Sequence, residues 1–308
     1  MTRTEINEEK QKEIFKEQNK AKAKKIIVNS IKLIIILAVI GFAFFSYTTY
    51  ISTIKISIRE YRITNQNIPD NFNGLKIIQF SDLHYGSTMF ESNLKEIKKL
   101  INERNPDIIL FTGDLIDSNY KMNQKEKEKL LKHLKELNAK LGKYAVLGDN
   151  DKEEESNLLS QSEFIILKNE YDLIYNQNNT PILLTGLSSL NKNEQDITKA
   201  YQYFSQESAN QEVFTITLVH EPDSTIEILE KYPNTNLILS GHSHNGYIRI
   251  PFANIPLSTT KGAKKYNQDY YKINNTELFI SGGLGTNNSS GIRLFCRPSI
   301  NFYRLSNQ

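Results

Sequence analysis

A single cysteine, Cys296, rules out an intrachain disulfide and any thiolate-held zinc or iron–sulfur centre, so a metal on this chain must sit on nitrogen and oxygen. Tryptophan is absent, a bias that says nothing about chemistry. The formal net charge is only +3 with Lys and Glu interspersed, and no nucleic-acid partner is indicated. No glycine-rich dinucleotide fingerprint follows a strand, no P-loop occurs, and no segment repeats. The sequence also lacks a His-Glu-x-x-His helix and a Cys-x-x-Cys pair, which disfavours metalloprotease or deaminase chemistry.

Long apolar runs are confined to one place. Residues 33–54 are 22 positions without a charge. At 1.5 Å per residue such a run crosses a hydrocarbon core of roughly 30 Å. Arg3 and eight lysines precede it, whereas Lys55, Arg59 and Arg62 are the only basic residues that follow closely. The positive-inside rule then expects a single-pass protein of the cell membrane, with a cytoplasmic N-terminus and the rest of the chain extracellular. A cleaved signal peptide is the rival reading, but the basic region is long and Gly41-Phe-Ala43 is a poor cleavage site. The expected organisation is a charged cytoplasmic segment at 1–25, a transmembrane anchor at 26–54 and one globular domain at 55–308. Residues 4–25 read as a solvated helix against anionic headgroups.

Beyond a linker or edge strand at 55–63, short apolar runs recur at 75–80, 107–111, 144–147, 182–187, 213–219, 237–240, 277–280 and 300–305. Helical patterns lie between them at 91–104, 123–141, 152–162, 194–207 and 223–231. Alternation of strand and helix in the first half predicts βαβ units, and the glycine-rich C-terminal part predicts hairpins. The fold class is therefore α/β, a mixed β-sandwich flanked by helices and preceded by one transmembrane helix. His133 flanks the stripe Leu130, Leu134, Leu137 and Leu141 and reads as an ordinary helix-flank residue.

The other four histidines fall in three motifs just after apolar runs: Asp82-Leu-His84, His220-Glu-Pro-Asp223 and Gly241-His242-Ser-His244. Two acidic loops follow runs in the same way, Gly113-Asp114 and Gly148-Asp149-Asn150-Asp151. Any one of these is a weak signal. Five loops at strand ends, where a rigid sheet can aim imidazoles and carboxylates at one point, predict a metal site.

The order and spacing of these motifs resemble the calcineurin-like metallophosphoesterases. The segments Ser240-Gly-His-Ser-His-Asn-Gly-Tyr-Ile-Arg-Ile-Pro251, Ile280-Ser-Gly-Gly-Leu-Gly-Thr286 and Ile292-Arg-Leu-Phe-Cys-Arg-Pro298 resemble its bacterial membrane-associated, YkuE-type branch, which is related to UDP-2,3-diacylglucosamine hydrolases. The resemblance implies a dinuclear, metal-dependent phosphoric ester hydrolase. It assigns Asp82, His84, Asp114 and His244 to one divalent ion and Asp114, Asp149, His220 and His242 to a second, with Asp114 as the bridge. Manganese, iron and zinc all suit such ligands. The implied substrate is a phosphate-containing small molecule or lipid carrying a phosphodiester, pyrophosphate or phospholipid-type bond.

The third motif departs from the family, which has Gly-Asn-His-Asp where this chain has Gly148-Asp149-Asn150-Asp151. A carboxylate thus replaces a neutral ligand, and Asn150 takes the place of a histidine that serves the leaving group; an amide donates a hydrogen bond but no proton. Asn150 and Asp114 are the expected catalytic residues. The alternative reading is a metal-binding envelope protein with weak or no turnover. Asp117 reads equally as a support for a ligand histidine or as a cap, Glu221-Pro222 as loop shape, and Lys261, Lys264 and Lys265 as a solvated loop. Arg249 and Arg293 stay open between substrate contact and structure.

Overall fold

The computed structural model describes residues 3–48, 55–177, 180–206, 209–250, 255–256, 259–287 and 292–308. The chain divides into two compact units, Met1–Thr48 and Thr49–Gln308. The first is one helix, α1 (Arg3–Ser46), of 44 residues. At 1.5 Å per residue it is about 66 Å long. Its stretch Lys10–Ser46 is long and apolar enough to cross a membrane, and the large apolar side chains from Ile26 to Phe45 are exposed. Residues 49–54 of the expected anchor lie outside the described residues.

The second unit runs β1 (Ser57–Thr64), β2 (Lys76–Phe80), α2 (Glu91–Asn102), β3 (Ile108–Thr112), α3 (Gln124–Lys135), β4 (Lys143–Val146), α4 (Glu153–Gln161), β5 (Phe164–Ile166), β6 (Glu170–Ile174), β7 (Ile182–Gly186), α5 (Ile197–Ala200), β8 (Thr215–Leu218), α6 (Thr225–Lys231), β9 (Leu237–Ser240), β10 (Arg249–Ile250), β11 (Ile255–Pro256), β12 (Tyr270–Ile273), β13 (Thr276–Ile280) and β14 (Ser299–Ser306). Two six-stranded sheets form, in the orders β1-β14-β2-β3-β4-β5 and β12-β13-β9-β8-β7-β6. Strands β2, β3, β4 and β5 are mutually parallel, as are β7, β8, β9 and β13.

The strands are apolar on both faces because both faces are covered. Every side chain of β3, Ile-Ile-Leu-Phe-Thr, is buried. Ile77, Leu110 and Val146 of the first sheet pack with Leu184, Ile216, Leu239 and Phe279 of the second in one central core. The outer face of the first sheet meets Leu94, Ile97 and Ile101 of α2 and Leu130 and Leu134 of α3, while Ile197 and Ile228 cover the second sheet. The result is a helix–sheet–sheet–helix sandwich, the mixed α/β architecture expected.

Local departures have local causes. The helix expected over 123–141 starts with an Asn123–Glu126 capping box but ends at Lys135. The Asn102 amide donates to Glu136 O at 2.8 Å and accepts from Asn138 N at 3.0 Å, taking the backbone groups the next turn would need. The helix expected over 194–207 breaks at Tyr201, whose hydroxyl reaches Thr217 of β8 and Thr235 just before β9. The C-terminal part holds the β12–β13 hairpin, but β14 returns to the first sheet between β1 and β2.

Candidate metal centre

Each motif stands just past the carboxyl end of a parallel strand. Asp82 and His84 follow β2, Asp114 follows β3, Asp149 and Asn150 follow β4, His220 follows β8, and His242 and His244 follow β9. The chain bends sharply to turn these side chains inward: Asp82, His84, Asp114, His242 and His244 all have left-handed backbones, with φ between 40° and 65°. Such conformations cost of order 1–3 kcal/mol each and persist only where the surroundings hold them. Asp82 N donates to Gly113 O at 2.8 Å, Gly285 N to Asp82 O at 2.7 Å, and Gly241 N to His220 O at 3.0 Å. Asp151, fully buried, accepts from the backbone N–H groups of Asp114, Leu115 and Gly148, each at 2.8 Å. Gly113 has φ +92°, and a Cβ there would lie 2.5 Å from His220 Nδ1.

Two clusters result, Asp82–His84–His244 and Asp149–His220–His242, and a third group, Asp82–Asp114–His220, links them. In the first, His84 Nε2 lies 3.2 Å from His244 Nε2, and His244 Nε2 lies 3.3 Å from Asp82 Oδ1. In the second, His242 Nδ1 is 3.2 Å from His220 Nε2, and Asp149 Oδ1 is 3.4 Å from His220 Nε2 and 3.6 Å from His242 Nδ1. Asp114 Oδ2 stands between them, 3.5 Å from both His84 Nε2 and His220 Nε2.

The far nitrogens fix which lone pair faces inward. His220 Nδ1 donates to Thr112 O at 2.6 Å, His242 Nε2 to Lys261 O at 2.6 Å and His244 Nδ1 to Gly285 O at 3.1 Å, since a carbonyl only accepts. Arg293, fully buried, holds the turn beneath His244 through Gly282 O at 2.7 Å and Gly283 O at 3.3 Å.

Charge in the pocket is uneven. Burial would raise Asp114 and Asp149, but the neighbouring histidines outweigh it and hold both below the usual carboxylate range. Burial likewise opposes charge on His220 and His242, yet the carboxylates hold both raised. Burial and the Asp114 charge push Asp82 up; burial, with His84 and Arg293 close by, pushes His244 well down. Ligands bind metal deprotonated, so a cation between these nitrogens and carboxylates would displace the protons that His220 and His242 are poised to hold. Asp149 Oδ1 is buried without a hydrogen-bond partner, and so is His84 Nδ1. An all-imidazole and carboxylate donor set with facing lone pairs fits divalent ions.

The seven histidine and carboxylate residues of the sequence reading converge at this centre. Asn150 joins them through Asp114: its Nδ2 donates to Oδ2 at 2.5 Å and its backbone N to Oδ1 at 3.1 Å. Asp117 instead caps a turn, accepting from Asn119 N at 3.0 Å. His133 is buried along α3 and belongs to neither cluster. Lys264 and Lys265 are tied down by their backbone N–H groups to Asp223. Asn191 escaped the sequence reading; its Nδ2 donates to Asp149 Oδ2 at 3.0 Å and to Lys261 O at 3.1 Å. Its one signal is position, in the loop after β7, the neighbour of β8. Asp149, Asn191, Lys192, His242, Thr260 and Lys261 line a cavity of about 440 Å³ that opens on the second cluster.

Residues 75–246 match the sequence model of the family described as Calcineurin-like phosphoesterase. The metallophosphoesterase YkuE of Bacillus subtilis is 31% identical over 268 residues, covering 85% of this chain and 89% of that protein. The UDP-2,3-diacylglucosamine pyrophosphatase LpxG of Chlamydia trachomatis is 30% identical over 234 residues, 61% of this chain and 70% of its own. A Danio rerio transmembrane protein with metallophosphoesterase domain is 28% identical over 203 residues; these are 61% of this chain and 44% of that longer protein.

Proposed function

This chain belongs to the calcineurin-like phosphoesterase family and is a metal-dependent phosphoester hydrolase, and we propose that it cleaves a phosphodiester, pyrophosphate or phospholipid-type bond at a dinuclear centre while anchored in a membrane. Asp82, His84, Asp114 and His244 would hold one ion, and Asp114, Asp149, His220 and His242 the other. The observation that carries this assignment is the place of Asp114 Oδ2, equidistant at 3.5 Å from one histidine of each cluster. Two divalent ions supply a polarised phosphoryl oxygen and an acidified water for in-line attack. The protein would need no nucleophile of its own; its ligands would hold the ions, and the cavity beside Asp149 and His242 would take the phosphoryl group.

The relative named UDP-2,3-diacylglucosamine pyrophosphatase supports a pyrophosphate or lipid-linked substrate. α1 and the relative named as a transmembrane protein support membrane attachment. We place residues 1–25 in the cytoplasm, the anchor at 26–54 and the catalytic domain, 55–308, outside, on the lysine bias before the apolar run.

A second reading, a metal-binding envelope protein with weak turnover, draws on Asp149 and Asn150. With Asp149 as a third carboxylate beside Asp82 and Asp114, a two-ion centre would be one unit less positive than with a neutral ligand there, holding its ions more firmly but polarising phosphate less. Asn150 engages Asp114 and brings no proton to a leaving group.

The deciding experiment loads the full-length chain in detergent micelles with manganese and measures bis(p-nitrophenyl) phosphate hydrolysis and metal content for the parent and Asp114→Ala. Metal-dependent turnover that disappears in the variant is expected. Two bound ions without turnover would establish the second reading, and turnover that survives Asp114→Ala would overturn the assignment of the bridge.

A further inference from the structure

Glu221 sits next to the candidate ligand His220 and is fully buried, yet it belongs to neither cluster. It accepts from the Ser189 hydroxyl, from Leu190 N at 2.9 Å and from Asn191 N at 3.2 Å. All three donors belong to one short turn after β7. A buried carboxylate committed to a single turn fixes that turn's position, because breaking the set would leave a charge unpaired inside the protein.

The turn delivers Asn191. Its Nδ2 bonds Asp149 Oδ2 at 3.0 Å and Lys261 O at 3.1 Å and stands 3.4 Å from His242 Nε2. Lys261 O in turn fixes His242 by accepting from Nε2 at 2.6 Å. Space is tight: a Cβ on Gly262 would fall 2.9 Å from Glu221 Cγ and 3.0 Å from Asn191 Oδ1. The terminal torsion of an aspartate is broad and roughly two-fold. With Oδ2 held by Asn191, Oδ1 of Asp149 is the oxygen left facing His220 and His242.

We propose that Asn191, seated by Glu221 through the 189–191 turn, is a positioning residue that governs occupancy of the Asp149–His220–His242 cluster and not of the Asp82–His84–His244 cluster. The inference rests on the ligand assignment above. The selectivity follows from contact: among the described residues Asn191 meets Asp149, His242 and Lys261, and it makes no hydrogen bond to Asp82, His84 or His244.

The test titrates the metal-stripped, full-length chain in detergent micelles with Mn2+ alone, by calorimetry. The parent should take up two ions. Asn191→Ala should weaken one of them about 10- to 100-fold, the usual loss when a ligand's outer partner is removed, and leave the other unchanged. Glu221→Gln should weaken the same ion, and the double variant should be no weaker than Asn191→Ala, because Glu221 acts through Asn191. Equal weakening of both ions, or of neither, in Asn191→Ala would overturn the proposal, and that variant alone decides it should Glu221→Gln fail to fold. Fully additive losses in the double variant would overturn the link to Glu221. A parent that takes up no second ion would overturn the ligand assignment and this inference with it.

Discussion

Asn150 Nδ2 lies 2.5 Å from Asp114 Oδ2, the oxygen that faces both histidine clusters, and Asn150 N lies 3.1 Å from Oδ1. The amide thus aims the carboxylate that we propose as the bridge. Removing it in Asn150→Ala should lower the rate on bis(p-nitrophenyl) phosphate about 10- to 100-fold, the scale of an outer partner to a metal ligand. Steady-state kinetics at saturating Mn2+ would check this; a parental rate would show that Asp114 needs no such support.

The carboxylate at position 149 should favour metal at the expense of electrophilicity. In Asp149→Asn the centre gains one unit of positive charge once two ions are bound. We expect the second ion to bind more weakly and the metal-saturated enzyme to turn over faster, because a more positive centre stabilises charge developing on the phosphoryl oxygens. Metal titration paired with kcat at saturating metal separates the two effects, and a variant slower at full occupancy would contradict the charge argument.

How much of this was legible in the sequence follows from the kind of atom involved. Asp82, His84, Asp114, Asp149, His220, His242 and His244 announce themselves because only imidazoles and carboxylates suit a site without thiolates, and each follows an apolar run. Asn191 is a neutral amide and the Lys261 contribution is a backbone carbonyl, so neither residue type signals its role. The end of α3 depends on Asn102, 36 residues before Asn138 and on another helix. The strands β5 and β6, three and five residues long, are set by pairing with β4 and β7 and not by a run of their own. Side-chain chemistry was visible along the chain, whereas contacts made by closing the sandwich were not.

Asp151 should matter for stability although it belongs to none of the ligand groups. Its carboxylate accepts three backbone N–H groups from the loops that carry Asp114 and Asp149. Asp151→Asn preserves shape but turns one acceptor into a donor facing an N–H, and an orphaned buried donor costs about 1–3 kcal/mol. Chemical denaturation of the metal-free protein should show a lower midpoint with an unchanged slope. An unshifted midpoint would mean the loops are held by other contacts.

The remaining histidine offers a pH dependence away from the metal centre. His133 lies along α3, and burial, reinforced by the nearby Lys98 charge, lowers its pKa below the ordinary 6.5. Glu136 and Glu91 oppose the shift without cancelling it, while Lys95 adds to it. The folded state therefore binds this proton less readily than the unfolded chain, so stability rises with pH across the window. The contribution is present in full above about pH 6.5 and is lost as pH falls through the lower folded-state value. In His133→Gln that loss should vanish. Thermal unfolding of metal-free parent and variant between pH 7.5 and 5 should show the parent's Tm falling more steeply, because only the parent must hold this imidazole neutral against a rising proton concentration. Parallel curves would show that His133 contributes nothing to the acid sensitivity.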